Sequence, residues 1–173
     1  TIIRSYLGEH LSLEECEEVA VIKEQEYRDL VRERGIQFLP GAAAALDRFR
    51  SAGFLQALGT SAPWGNIDAV LDVLPLKEKL EALVSSEEVA NGKPFPDVFL
   101  KAAEKLGLSP WDCAVVEDAP AGIEAAKAAG MLSIGVLTTH PHLEGDLVLP
   151  SLDQLNVLQI QSMLSREGGR VSH

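Results

Sequence analysis

Short apolar runs alternate with helical segments between residues 42 and 149, and this alternation restricts the fold more than any other feature. The apolar runs lie at 54–59, 81–84, 113–116, 133–136 and 147–149. The helical segments lie at 42–52, 66–74, 97–106 and 121–129. A strand that is buried on both faces of a sheet is apolar throughout, and parallel strands are joined by right-handed helical crossovers. The chain is therefore predicted to be an α/β protein with a doubly wound parallel sheet.

A long helix is predicted ahead of this core. Ser12 and Glu15 have the spacing of a capping box, in which a hydroxyl and a carboxylate each accept a backbone N–H. The helix is expected to end near Arg34, because Gly35 follows it. Its apolar face is predicted to hold Cys16, Ala20, Lys23, Tyr27 and Leu30.

Charge and cysteine content argue against several classes of function. Asp and Glu number 26 against 15 Lys and Arg, and the net charge of -11 argues against nucleic acid as a partner. Cys16 and Cys113 have neither CxxC spacing nor a His cluster nearby, so we expect reduced thiols in a cytoplasmic protein. No apolar run approaches the roughly 18 residues needed to span a bilayer, so no membrane partner is expected. The sequence does not indicate an oligomeric state.

Thr60 and Ser61 follow the first apolar run. Ligands of open α/β sheets bind at the carboxyl ends of the strands, so this is a candidate position for a site. Hydroxyls and backbone N–H groups at the start of a helix would hold a phosphate there. The alternative is that the two residues only cap the helix that follows.

Lys93 lies in a stiff loop between a strand and a helix. The loop reads Asn91-Gly92-Lys93-Pro94-Phe95-Pro96-Asp97, and its two prolines restrict the backbone. A rigidly held lysine at such a junction suits neutralisation of phosphate charge. The alternative is an exposed loop lysine without a binding role.

Glu117 and Asp118 lie at the end of the third apolar run. Two adjacent carboxylates repel each other unless a cation is present, and oxygen ligands suit Mg²⁺. The alternative is that Asp118 caps the next helix while Glu117 points to solvent.

The order of these three sites along the chain resembles motifs two, three and four of the haloacid dehalogenase superfamily. The segments that carry the resemblance are Thr60-Ser61, Gly92-Lys93-Pro94-Phe95-Pro96-Asp97 and Val116-Glu117-Asp118-Ala119-Pro120-Ala121-Gly122. The last two are similar to the branch that contains phosphoglycolate phosphatase and β-phosphoglucomutase, and the likeness extends over residues 11–149.

The resemblance implies a role for each residue. In that family a Mg²⁺-bound aspartate attacks the phosphoryl group and forms an aspartyl-phosphate. Thr60 and the N–H of Ser61 would bind the phosphoryl group, and Lys93 would neutralise its charge. Asp118 would ligate Mg²⁺, and Glu117 would support the metal directly or through water. The implied substrate is a small phosphorylated metabolite.

The family's nucleophile motif, Asp-x-Asp-Gly, does not occur in the 173 residues. We therefore expect the nucleophile and the first strand upstream of Thr1, in a longer protein rather than a natural truncation. Residues 1–36 would be the remaining part of a helical cap, 37–156 an α/β core that lacks its first strand, and 157–173 a C-terminal tail. Relatives of β-phosphoglucomutase present a cap lysine to the substrate, and Lys23 matches it, unless its ammonium extends to solvent. His140 and His142 are expected in an exposed loop.

A phosphatase is the leading hypothesis for the function. A β-phosphoglucomutase-like mutase is the nearest rival, because the two differ mainly in the cap. The Glu117-Asp118 pair indicates a metal and so argues against a dehalogenase. A non-catalytic protein that retains only the phosphate pocket is the alternative from a different class.

Overall fold

A computed structural model describes residues 12–168 and confirms the α/β class. The helices of this part of the chain are α1 Leu13–Arg34, α2 Ala42–Ser51, α3 Trp64–Val73, α4 Asp97–Leu106, α5 Pro120–Ala128 and α6 Val157–Gly168. The strands are β1 Ala57–Gly59, β2 Ala82–Val84, β3 Ala114–Glu117, β4 Leu132–Val136 and β5 Leu147–Leu149. Short 3₁₀ helices lie at Lys77–Lys79, Ser86–Glu88, Pro110–Asp112 and Leu152–Gln154. Among the described residues, no helix has both the length and the apolar content that crossing a membrane requires.

All strand pairs in this part of the chain are parallel, and they form two separate sheets. β1 pairs with β2, with Gly59 opposite Val84. The second sheet has the order β3-β4-β5, with Glu117 opposite Gly135. Within residues 12–168, β1 and β3 do not pair with each other. Val116 of β3 is 43% exposed, so one face of this strand is open.

Two helices hold the sheets together. Their shared core contains Val84 of β2, Val98 and Phe99 of α4, Val115 of β3, and Ala125 and Ala126 of α5. α4 packs on β1 and β2, α5 packs on β3 and β4, and the two helices contact each other, so the carboxyl ends of β1 and β3 keep a defined relationship.

A second hydrophobic cluster joins α2 and α6 to strands β4 and β5. It contains Ala45 of α2, Leu132 and Ile134 of β4, Leu149 of β5, Leu155, and Ile160 of α6. Residues 157–168, which the sequence analysis assigned to a tail, therefore form a helix, and Ile160 is only 2% exposed. Residues 1–11 of the predicted cap segment and 169–173 of the predicted tail lie outside the described residues.

The predicted capping box at the start of α1 is confirmed, but the buried face of the helix is not the predicted one. Ser12 accepts a bond from the N–H of Glu15, whose carboxylate accepts from the N–H of Ser12. The buried or partly buried positions of the helix are Cys16, Val19, Ala20, Glu24, Arg28 and Val31.

The predicted apolar face was wrong for three of its residues. Lys23, Tyr27 and Leu30 are exposed. The physical reason is that Asn66 of α3 binds polar side chains of α1: Arg28 Nη1 donates to its Oδ1 at 3.2 Å, and its Nδ2 donates to Glu24. These contacts, rather than apolar spacing, set the rotation of α1.

Candidate active site

The loop that carries Thr60 and Ser61 is held in place by the end of β2. The N–H of Thr60 donates to the carbonyl of Val84 at 3.0 Å, which extends the strand pairing by one bond. The hydroxyl of Ser85 donates to the carbonyl of Ala62 at 3.0 Å. The hydroxyl oxygen of Thr60 accepts from the N–H of Ala62 at 3.1 Å, so its proton is available to a bound anion.

A carboxylate lies at the N-terminus of the helix that follows. The N–H of Trp64, the first residue of α3, donates to Glu87 Oε2 at 2.8 Å. This N–H is therefore already satisfied, and anion binding at this loop would depend on Thr60 and Ser61 rather than on the first turn of α3. The side chain of Ser61 is exposed, and Thr60 is partly buried.

Lys93 forms an ion pair with Glu117, which joins the second predicted site to the third. Both side chains are largely buried, at 14% and 12% exposure. Lys93 is therefore not an exposed loop lysine. Its loop is anchored by Asn91, whose N–H and Nδ2 both donate to Asp97 Oδ1 at 3.2 and 3.1 Å.

Phe99 connects the lysine to the first site, and sequence reasoning missed it. Lys93 Nζ lies 4.6 Å from the centroid of its ring, which is a cation–π distance. The ring also lies against the end of β1, where a Cβ added to Gly59 would lie 3.1 Å from Phe99 Cδ1. Thr60 follows Gly59 directly, so the same ring is close to both the threonine loop and the lysine. No local signal distinguishes Phe99 from the other core residues of α4.

Gly122 makes room for the carboxylate of Glu117. A Cβ added at this position would overlap that carboxylate. The third motif therefore needs glycine here for a close approach of a side chain to the helix backbone, and not for its backbone conformation.

Asp118 is held by two threonines from the loop after β4, which sequence reasoning also missed. Thr139 Oγ1 donates to Asp118 Oδ2 at 2.7 Å and also lies 3.0 Å from the Asp118 carbonyl oxygen. Thr138 Oγ1 lies 3.2 Å from the same Oδ2. The signal was present: two hydroxyl residues follow an apolar run, as they do at Thr60 and Ser61.

The two carboxylates suit magnesium in number and type. Mg²⁺ takes oxygen ligands, keeps several waters and binds through few protein carboxylates. Both threonine bonds reach Oδ2 of Asp118, so among the described residues Oδ1 is the oxygen left for a ligand. Glu117 faces Lys93, which favours a contact with the metal through water. Residues 12–168 contain no cluster of three or more His, Cys, Asp or Glu that would cage a metal.

A small cavity borders Thr60 on the side of α1. Its volume is about 150 Å³. Its walls are Tyr27 of α1, Leu58, Thr60, Ala62, Asn66, Ile67, Val70, Leu71 and Leu76. Lys93, Glu117 and Asp118 do not line this cavity. Thr60 is therefore the one predicted site residue that borders it.

The remaining candidates, Lys23, His140 and His142, are exposed. The Lys23 side chain is 65% exposed and pairs with the neighbouring Glu24. The hydrogen bond from Lys23, followed by that from Asn66, holds the pKa of Glu24 below its ordinary value despite partial burial. His140 and His142 are exposed, as predicted.

Comparisons with known proteins identify the family of the chain. A family model described as haloacid dehalogenase-like hydrolase matches residues 3–130. Hexitol phosphatase A of Escherichia coli is 40% identical over 137 residues, which cover 76% of this chain and 62% of the relative. β-Phosphoglucomutase of Bacillus subtilis is 35% identical over 144 residues, which cover 83% of this chain and 63% of the relative.

A solved structure supports the fold in the same way. A family IA, variant 3 HAD hydrolase from Entamoeba histolytica matches with a TM-score of 0.84 at 26% identity, covering 94% of this chain and 77% of that chain. The present chain spans about three fifths of the length of the curated relatives named above, at 62% and 63%. Because the family match covers well over half of the 173 residues and includes all three loops, the chain belongs to the haloacid dehalogenase-like hydrolases.

Proposed function

We propose that this chain forms most of the catalytic core of a magnesium-dependent phosphatase for a small phosphorylated metabolite. The observation that carries the proposal is the Lys93–Glu117 ion pair next to Asp118, because it places a largely buried cation beside two carboxylates at strand ends. Cationic groups stabilise a dianionic phosphoryl group. Lys93 is the first such group, and a metal ion between the phosphoryl group and the two carboxylates would be the second.

Each residue of the site has a proposed task. Lys93 neutralises the charge of the phosphoryl oxygens, and the Thr60 hydroxyl and Ser61 N–H donate hydrogen bonds to them. Asp118 holds Mg²⁺ directly, and Glu117 holds it through water while keeping Lys93 in place. When bound, the metal compensates the negative charge that develops during phosphoryl transfer.

The proposed reaction passes through an aspartyl-phosphate whose nucleophile lies in a segment preceding Thr1. Two observations support this part. The 173 residues contain no Asp-x-Asp. In the described residues β1 and β3 belong to different sheets, and Val116 of β3 is exposed. A strand between them would pair with both and bring its carboxyl end beside Thr60 and Asp118.

The substrate is proposed to be a phosphorylated sugar or polyol. Curated relatives include a hexitol phosphatase and a β-phosphoglucomutase, which between them cover hydrolysis and phosphoryl transfer within a sugar phosphate. Because the chain is also similar to β-phosphoglucomutase, a mutase is the alternative to a phosphatase. Lys23 on α1 would contact the substrate in either case, and the location in the cytoplasm stays a prediction from the two cysteines.

The test is phosphate release by the full natural chain from a hexitol phosphate and from a glucose phosphate, with and without Mg²⁺. A phosphatase releases inorganic phosphate only with Mg²⁺, and Lys93→Ala and Asp118→Asn abolish the release. Conversion of one glucose phosphate into its isomer, without phosphate release, would assign the mutase instead. Binding of phosphate with no turnover of either substrate would support the non-catalytic alternative.

A further inference from the structure

We propose that Thr139, assisted by Thr138, is a positioning residue that orients the Asp118 carboxylate for metal binding. This inference rests on the proposed function, since it concerns the residue assigned to hold Mg²⁺. It concerns two side chains of the loop after β4, which lies outside the three motifs.

The contacts restrict both the side chain and the main chain of Asp118. Thr139 Oγ1 is 2.7 Å from Asp118 Oδ2 and 3.0 Å from the carbonyl oxygen of the same residue. A hydroxyl has one proton, so it shares that proton between the two oxygens or gives it to the nearer one. Thr138 adds a longer contact to Oδ2, at 3.2 Å. The carboxylate is therefore held through one oxygen, and Oδ1 is left to face a ligand.

The loop that carries the threonines is anchored at its first end by the sheet. The N–H of Leu137 donates to the carbonyl of Leu149 at 3.0 Å, which continues the pairing of β4 with β5. The N–H of Thr138 then donates to the carbonyl of Val136 at 2.9 Å, which makes a tight turn. The direction of the loop is thus set within two residues of the strand end.

The second end of the loop is anchored by a reciprocal contact between Ser133 and Asp146. The N–H of Ser133 donates to Asp146 Oδ2 at 2.8 Å, and the N–H of Asp146 donates to Ser133 Oγ at 3.1 Å. Ser133 is fully buried in β4. A Cβ added to the adjacent Gly145 would lie 2.9 Å from the N of Gly135, so backbone packs against backbone there. The threonine hydroxyls are therefore presented by a loop that is fixed at both ends.

This arrangement has the form of an outer-shell contact to a metal ligand. A ligating carboxylate that is hydrogen-bonded through its other oxygen loses less rotational freedom when the metal binds, so the affinity rises. Neutral hydroxyl donors leave the charge of the carboxylate in place, unlike a lysine or an arginine in the same position.

The inference is tested by measuring Mn²⁺ binding, as a substitute for Mg²⁺, by electron paramagnetic resonance on the full natural chain without substrate. Thr139→Val removes the hydroxyl and keeps the shape, while Thr139→Ser keeps the hydroxyl. We expect Thr139→Val to raise the Kd for Mn²⁺ about 10-fold, the lower end for lost outer-shell contacts. Thr139→Ser restores the affinity, and Thr138→Val has a smaller effect. His140→Ala, in the same exposed loop, is the matched control.

The melting temperature in EDTA separates positioning from a structural role. Weaker Mn²⁺ binding by Thr139→Val with an unchanged melting temperature supports the inference. An unchanged Kd overturns it, and so does a fall in affinity that follows a fall in melting temperature and is not restored by serine. If the variants show this pattern of Mn²⁺ affinities but the unmodified chain hydrolyses no phosphate ester, the proposed function fails and the positioning role stands. If the unmodified chain binds no Mn²⁺, the positioning role is overturned.

Discussion

The carboxylate of Glu117 occupies the space that a methyl group at Gly122, in the first turn of α5, would fill. The same carboxylate pairs with Lys93, so the absence of a side chain at one position determines where a cation lies on another loop. This relationship makes Gly122 a sensitive position for function although it carries no functional group.

We predict that Gly122→Ala lowers Mg²⁺-dependent turnover about 10-fold or more, because the displaced carboxylate no longer holds Lys93. The free energy of unfolding should fall by less than the roughly 3 kcal/mol of a broken buried pair. The displaced carboxylate ends a flexible side chain that can move away from the helix, and alanine gains about 1 kcal/mol of helix propensity over glycine. Steady-state kinetics and urea unfolding check the two parts. Glu124→Ala, on the exposed side of the same helix, is the control. Full activity in Gly122→Ala would mean that Glu117 has a second productive position.

Lys93→Met is predicted to destabilise the fold as well as to abolish turnover. It leaves Glu117 largely buried without its cation, which should cost about 3 kcal/mol in urea unfolding, the lower end for a broken buried pair. Adding Glu117→Gln should recover most of that stability and none of the activity, because the charge that faces the phosphoryl group is still missing. The control is Lys101→Met, whose pair with Glu104 is exposed and screened by solvent, so its loss should have little effect on unfolding. A double variant no more stable than Lys93→Met alone would contradict the pairing.

Asn66→Ala is predicted to loosen α1. The substitution removes the hydrogen bonds of Asn66 to Glu24 and Arg28 and should cost about 2 kcal/mol, since both partners are charged. Hydrogen exchange should accelerate in the amides of α1 and stay unchanged in α5. Gln25→Ala removes only exposed contacts of the same helix and serves as the control. Equal acceleration in both helices would mean that Asn66 supports the core rather than the attachment of α1.

Ser133→Ala is predicted to reduce stability in a pH-dependent way. Burial is the largest single influence on the pKa of Asp146 and would raise it, but the hydrogen bonds from the hydroxyl and N–H of Ser133, together with the nearby Lys127 and the residue's own N–H, hold this pKa below its ordinary 3.8. A carboxyl group whose pKa is lower in the folded chain than in the unfolded chain stabilises the fold at pH values above its unfolded-state pKa. This stability is lost as the pH falls through its folded-state pKa. At pH 7 we expect the variant to lose about 2 kcal/mol, because the hydroxyl donates to Asp146 Oδ2 and accepts from the N–H of Asp146.

The difference in stability between Ser133→Ala and the unmodified chain should shrink below pH 3.8. There, protonation of Asp146 removes the contribution of its carboxylate from both proteins. Thermal unfolding between neutral pH and the acid limb measures it. Ser165→Ala, which removes an exposed hydroxyl on α6, should change nothing at any pH. If Ser133→Ala were less stable than the unmodified chain by the same amount at neutral and at acid pH, the Ser133 hydroxyl would act through packing and not through Asp146.

Local signals in the sequence were sufficient for most of the secondary structure, with the helix Val157–Gly168 as the exception, and for the composition of the main loops. The capping box at Ser12, the glycine after Arg34 and the helix Asp97–Leu106 were all predicted, because caps and stops depend on residues a few positions apart. The strand ends were also predicted closely enough to select Thr60, Lys93 and Asp118.

Tertiary packing decided what these residues touch. The predicted face of α1 was wrong because Asn66, far away in sequence, binds Glu24 and Arg28. Phe99 beside Lys93 and Thr139 on Asp118 are likewise contacts between distant elements. Their partners are brought together because α4 connects the two sheets and packs against α5, and the spacing of residues along the chain carries no information about such distances. The sequence alone thus determined which side chains stand at the strand ends, and the packing of helices on sheets decided how those side chains are paired.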